Sequence, residues 1–338
     1  MLIPQVTDTI GSMFVGIREI KKAKGRFGLI VGTVALITLL VVVLTGLTSG
    51  LGKQNTSALE ALDPAAVVFE DPQDPSFTTS RVQATPGTDA LGTGQMLVAG
   101  PDGTEQSVAL LALPRGTTLP GGEVLSDGAV ASASLNFSLH DVLSLAGTTI
   151  PVDAVGEDLM FAHTPVLWVP TETWQEVFHT DAAGTVLLSD DPGIEGGVSL
   201  KESFQGLPAY ASEQSSLKMI QGFLYAIAAL VIVAFLTVWT IQRSRDLAIL
   251  KAIGASNKYL LKDAVGQSAI LLFIGVTIGA LIGLGIGFVM EGIAPFTLSF
   301  GVIALPPLLV WVLGMAGAVV ATRSISKVNP QSALGGVA

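Results

Sequence analysis

Five cations crowd one short stretch of this chain. Arg243, Arg245, Lys251, Lys258 and Lys262 all fall between Gln242 and Gln267. Leu247, Ile249, Leu250 and Ile253 share that stretch and give it an apolar side. Gly254 interrupts the pattern, and a second helical piece is expected from about Ser256. A helix with one charged and one apolar side lies on an interface or docks into a groove on a partner. The chemistry on offer is therefore attachment and the transmission of force. The alternative is an ordinary connecting loop that keeps its neighbours in register.

Chemistry of other kinds is hard to find. The chain has no cysteine, which excludes disulfides and thiolate metal sites. No G-x-x-x-x-G-K-S/T loop is present, so the chain cannot cradle nucleotide phosphates in that way. No G-x-S-x-G elbow, H-E-x-x-H helix or paired-histidine zinc spacing occurs. The three histidines, His140, His163 and His179, lie far apart and read as surface residues. No nucleic-acid-binding module is visible. The residues point to a non-enzyme with no cofactor of its own.

The elements that would position the basic stretch are apolar. Half of the 338 residues are hydrophobic and only 13% are charged. Four runs, 28–50, 219–241, 266–290 and 302–321, contain no Asp, Glu, Lys or Arg. About 20 such residues cross a bilayer, and a lone segment in lipid must be helical to satisfy its backbone. The absence of ionisable groups at membrane depth disfavours a proton relay or an ion-coupled carrier. Gly275, Gly279, Gly283 and Gly287 recur at every fourth position of the third run, a flat stripe on which another helix can pack. Pro306 and Pro307 are expected to open the fourth span, where missing N–H groups cost least.

Charge sets the expected orientation. Twelve of the 17 Lys and Arg residues lie in 1–27, in 242–265 and in the tail 322–338. Residues 51–218 carry 22 of the 27 acids and only five cations. The positive-inside rule puts both termini and the basic loop in the cytoplasm and 51–218 outside. Residues 1–27 read as a leader followed by an amphipathic elbow helix on the inner leaflet. Helix is expected to continue from the first span to Leu62, where Asp63-Pro64 stops it, and to begin again near Tyr210, giving paired stalks. Between them, strand-like pieces recur at 65–69, 96–98, 108–113, 149–155, 165–169 and 185–188, with helices expected at Leu139–Leu145 and at Thr171–Phe178 with Thr171 as cap. The expected fold is an α-helical membrane protein with four transmembrane helices plus an extracellular mixed α/β domain between the first and second spans.

Arg245-Asp246-Leu247-Ala248-Ile249-Leu250-Lys251-Ala252-Ile253-Gly254-Ala255-Ser256 resembles the coupling segment of the MacB/FtsX-type ABC permeases, although the Glu-Ile pair usual there is not reproduced. Ile325–Leu334 resembles the last segment of the same family. The resemblance implies a homodimeric permease served by cytosolic ABC ATPase subunits, which bind and hydrolyse the ATP. It implies ATPase coupling through Arg243, Arg245, Asp246, Lys251, Ile253 and Gly254, and mechanotransmission through stiff helices to the outer domain.

Within that family, Met13–Ile20 with Lys24–Phe27 is similar to the haem-efflux branch. Haem needs an apolar slot, an axial ligand and partners for its propionates. A slot between the first and second spans of two subunits, open sideways to the outer leaflet, would serve. Met219 and Glu60 are the candidate haem-iron ligands, Lys53 and Lys218 the candidate propionate partners, and Tyr225 lies at the same level. Each also has a plain reading: Met219 as an apolar end-of-span residue, Glu60 as a solvated stalk residue, and the lysines as snorkelling anchors. Two rival functions share the build, namely export of a lipid, lipoprotein or antimicrobial peptide, and relay of a signal to a cell-wall hydrolase.

Overall fold

Four long helices account for all four apolar runs. The computed structural model describes residues 24–208, 210–242, 248–249, 256–290 and 292–322. Helix α1 (Lys24–Leu62) carries the first run and extends well past it. It ends where expected: Asp63 turns left-handed at φ 44° and its N–H still reaches Leu59 O at 3.2 Å. The strands and helices that follow are β1 (Ala66–Val68), β2 (Asp89–Ala99), β3 (Glu105–Leu113), β4 (Ala129–Ser132), β5 (Val142–Leu145), β6 (Thr148–Gly156), β7 (Met160–Phe161), β8 (Thr164–Pro170), α2 (Thr171–Phe178), β9 (Val186–Ser189), β10 (Gly197–Val198) and α3 (Leu200–Ser203). Helices α4 (Tyr210–Gln242), α5 (Asn257–Met290) and α6 (Phe300–Thr322) complete the set. The chain divides into a helical unit, 1–49 with 217–338, and a β-rich unit, 50–216. It is a membrane protein of four apolar helices with a strand-rich α/β region between the first and second.

In the helical unit the buried core joins all four helices. Val34, Ile37 and Val41 of α1 meet Ile232 and Leu236 of α4, Leu271, Leu272 and Val276 of α5, and Val310 and Ala318 of α6. Small residues set the close approaches. A Cβ at Gly314 would lie 2.9 Å from Leu272, and one at Gly317 would lie 2.8 Å from Val233. The turn between α5 and α6 folds back onto α1: Thr297 N donates to Gly46 O at 3.2 Å, and the Phe296 ring occupies the space beside Gly46.

The prolines of α6 depart from expectation. The helix starts at Phe300, with Ser299 Oγ accepting from Val302 N at 3.3 Å, so Pro306 and Pro307 sit inside it rather than at its opening. The carbonyls of Val302 and Ile303 thereby lose their intrahelical donors. Both prolines are buried against neighbouring helices, the setting in which membrane helices accommodate such breaks.

In the β-rich unit, six strands in the order β2-β3-β8-β4-β6-β5 curl until Ala99 of β2 pairs with Ser144 of β5, closing a small barrel. β2 also pairs with β9, which continues through β1 to β10. The β3–β8 and β4–β6 pairs are parallel, and the rest are antiparallel. β3 explains its own unbroken apolar run. Val108, Leu110 and Ala112 join one core, while Ala109, Leu111 and Leu113 join a second. A strand buried on both faces shows no polar alternation. The second core also takes Ala58 and Leu59 from α1 and Phe204 and Leu207 from the segment before α4, which ties the stalk ends to the sheet.

Two local expectations fail here. Leu139–Leu145 is not helical. Its Val142–Leu145 half is β5, with Leu143 and Leu145 buried and Val142 and Ser144 exposed, a period of two. The Ala146-Gly147 turn, with φ 50° and 99°, folds it straight back onto β6. Helix α2 spans Thr171–Phe178 as expected, but its N-cap is Pro170. Thr171 is already in the first turn, and its buried hydroxyl has no hydrogen-bond partner among the described residues.

Candidate functional site

Helix α1 leaves the helical unit at Ser49, and its next residues carry two of the candidates. Lys53 and Glu60 are both exposed, seven positions apart on one helix. Glu60 is not bare, because Thr56 Oγ1 donates to its Oε1 at 2.8 Å. In the helical unit, α4 carries Lys218 and Met219 fully outward, Met219 with 60% of its surface exposed, and Tyr225 half-buried two turns on. Gln221, between them, donates to Thr45 of α1, a polar link across two otherwise apolar helices.

The glycine stripe of α5 is occupied. A Cβ at Gly275 would lie 2.8 Å from Val34, one at Gly279 would press on Ala35 O and Thr38, and one at Gly283 would lie 2.8 Å from Val42. These three face α1. Gly287 instead receives Leu298 and Phe296 from the α5–α6 turn, so the stripe serves a helix and a loop together.

The coupling candidates Arg243, Arg245, Asp246, Lys251, Ile253 and Gly254 lie outside the described residues, as do the elbow before Lys24 and the tail after Thr322. Of the segment around them, Ala248 is buried and Ile249 is exposed, both helical. Lys258 and Lys262 are exposed on the first turns of α5.

A polar cluster in the β-rich unit escapes the sequence. His163 is not a free surface residue. Its Nε2 lies 2.9 Å from Glu213 Oε2 at the start of α4, with each side chain about one-third exposed. Asn55 of α1, wholly buried, donates through Nδ2 to Glu213 Oε2 at 3.2 Å and to Leu51 O at 3.3 Å, and lies 2.9 Å from the imidazole. An imidazole carrying its proton on Nε2 donates to the carboxylate. Around this group the β7–β8 turn clips onto α1. Ala162 N donates to Asn55 O at 3.1 Å and His163 N to Gln54 O at 2.9 Å. Ser57 Oγ donates to Met160 O at 3.1 Å and accepts from Met160 N at 2.8 Å.

Ala162 and His163 hold φ of 47° and 65°, the left-handed pair of a tight hairpin. Neither residue type announces that turn, which ordinarily prefers Asn or Gly. The cluster holds no nucleophile and base in attacking geometry. What it does is fix three segments to one another. Among the described residues no group of three His, Asp or Glu side chains forms a metal site. His140 and His179 are exposed.

With this geometry in view, the known proteins most informative about the chain are permeases. Residues 219–330 match the family model described as FtsX-like permease C-terminal. A hemin transport system permease protein, HrtB, of Staphylococcus epidermidis is 25% identical over 343 residues, covering 94% of this chain and 98% of the relative. The HrtB of Staphylococcus haemolyticus is 24% identical over 95% of this chain and 98% of its own length. An uncharacterized ABC transporter permease of Mycobacterium tuberculosis is 23% identical over 96% of this chain and 99% of its own length. The chain thus carries an FtsX-like permease domain that begins within α4 and is similar along nearly its whole length to permeases, among them those named for hemin transport.

Proposed function

We propose that this chain is the permease subunit of an ATP-driven ABC efflux transporter that exports haem from the membrane by mechanotransmission. It works as a homodimer with cytosolic ATPase subunits, its termini cytoplasmic and residues 51–218 extracellular. The observation that carries the reading is the extent of the likeness to HrtB. It runs through the β-rich insertion as well as the helices, at 94% of this chain and 98% of the relative.

The proposed stroke begins at Arg243, Arg245, Asp246, Lys251, Ile253 and Gly254, pushed by the ATPases. Helices α1 and α4 carry it outward. Helices more than 30 residues long, stiffened by the seam around Gly275, Gly279 and Gly283, suit such a lever. At the stalk ends, Asn55, Ser57 and Glu213 pass it to the β7–β8 turn. Haem, a flat amphiphile, reaches its site from the lipid. As alternative iron ligands, Met219 offers a thioether or Glu60 a carboxylate, with the lysine on the same helix, Lys218 or Lys53, meeting a propionate. The exposure of Met219, Glu60 and both lysines leaves them available for this role.

The test is optical. Hemin added to the detergent-purified chain should give a shifted Soret band that weakens in Met219→Ala or Glu60→Ala. A Soret band identical to that of hemin in detergent alone removes haem from the proposal and leaves a permease of another cargo.

A further inference from the structure

Residues 51–218 hold five cations against 22 acids, and the β-rich unit spends one of the five in an unusual way. Arg115 pairs with Asp127 and Glu172. Arg81 forms no such pair among the described residues. Its Nη1 donates to Thr78 O at 3.0 Å and to Ser80 O at 2.7 Å, and its guanidinium lies 5.8 Å from the centre of the Trp174 ring. Its own backbone is anchored, with Arg81 N donating to Glu70 Oε2 at 2.9 Å and Val82 N to Gly184 O at 2.9 Å. The cation is held in place by carbonyls and a ring, with Nη2 and Nε uncommitted to any carboxylate. In so acidic a domain an unpaired, immobilised guanidinium is a place prepared for an anion.

Arg81 lines a cleft of 390 Å³, within the range of small-molecule sites. The rest of its wall mixes Phe77, Phe161, Phe178 and Pro208 with Thr78, Thr93 and Gln95. Phe77 and Phe161 stack edge to face at 5.6 Å and 85°, both nearly fully buried, so that wall is rigid. Phe178 is held against Gly94 of β2, where any side chain would collide with it. Gln95, exposed, joins the wall by donating to Ala162 O at 2.9 Å and to Thr164 Oγ1 at 2.7 Å. Thr78 is exposed at the rim.

We propose that this cleft binds a small planar carboxylate, its ring against the half-buried Phe178 and its carboxylate on the Arg81 guanidinium. The arrangement combines an aromatic surface with a few polar groups, of which the Arg81 guanidinium carries the charge that fixes orientation. The site lies wholly within the β-rich unit and does not depend on the identity of the cargo or on the residues near the first two spans.

The test uses the full chain in lipid nanodiscs and two matched probes, 2-naphthoate and the neutral 2-naphthylmethanol, with binding followed by saturation-transfer NMR. Naphthoate should bind and the alcohol should bind at least about tenfold more weakly, the scale of one charge-assisted hydrogen bond. Arg81→Gln should remove that preference. Thr78→Trp, which narrows the mouth from an exposed position, should weaken both probes, and Arg115→Gln should change neither. Equal binding of the two probes, naphthoate binding untouched by both Arg81→Gln and Thr78→Trp, or no binding to the unaltered chain at millimolar naphthoate would each overturn the proposal.

Discussion

Asn55 shows how much one side chain can be asked to hold. It is fully buried, its amide nitrogen serves Leu51 O and Glu213, and its amide oxygen has no partner among the described residues. Asn55→Ala should therefore lower stability by about 1–2 kcal/mol through the two lost bonds and the space left behind, less whatever is recovered from the orphaned oxygen. His163→Ala should cost less, about 0.5–1 kcal/mol, because its hydrogen bond with Glu213 is one-third exposed and water can replace it. Thermal unfolding of the detergent-solubilised chain measures both. A larger loss in His163→Ala than in Asn55→Ala would reverse the assigned order. Trp174 sits at the other extreme. It is wholly buried, its Nε1 donates to Thr93 O at 3.2 Å, and its ring lies over Gly92. Trp174→Ala should cost about 3–5 kcal/mol by the same measurement.

Among the elements, the α1–α5 seam makes the sharpest contrast. Gly279 faces the backbone of α1, whereas a Cβ at Gly285 on the same helix meets nothing within 4 Å. Gly279→Val should separate two helices that have no room to yield, costing about 1–3 kcal/mol. Gly285→Ala should be neutral or slightly stabilising, because helix propensity alone favours it by about 1 kcal/mol. Unfolding midpoints of the two variants decide this, and equal midpoints would mean the seam carries no packing energy. β2 uses the same device in a sheet. Gly92 and Gly94, two apart and so on one face, give α2 a bare strip on which Trp174 and Phe178 lie. A reading of β2 by hydrophobic alternation passes over both glycines, since they contribute no side chain to the pattern.

At the scale of the molecule, the unequal placement of charge predicts which parts face which side. Twelve of 17 cations flank the spans on one side, and 22 of 27 acids lie in 51–218. The lack of native cysteine makes the experiment direct. Val124 is 58% exposed in the β-rich unit, and Lys258 is exposed at the start of α5. A membrane-impermeant maleimide should label Val124→Cys in intact cells and Lys258→Cys only after lysis. The reverse pattern would invert the proposed orientation and place the basic segment where no cytosolic ATPase could reach it.

The sequence by itself determined the four helices, the stop at Asp63-Pro64, helix α2 and the strand-rich character of the insertion. Those features depend on neighbours in the chain: an uncharged run of a given length, a proline, an apolar stretch between turns. What only the tertiary structure decided depends on residues far apart. The barrel closes through Ala99 and Ser144. Asn55 meets His163 across 108 positions and Glu213 across 158. The cleft gathers Phe77, Arg81, Phe161 and Phe178 from separate segments. No local pattern encodes such meetings, because a side chain's partner across a sheet or between helices is chosen by the register and packing of whole elements. For the same reason Leu139–Leu145 reads as a helix in isolation, and its Val142–Leu145 part becomes a strand once β6 lies beside it.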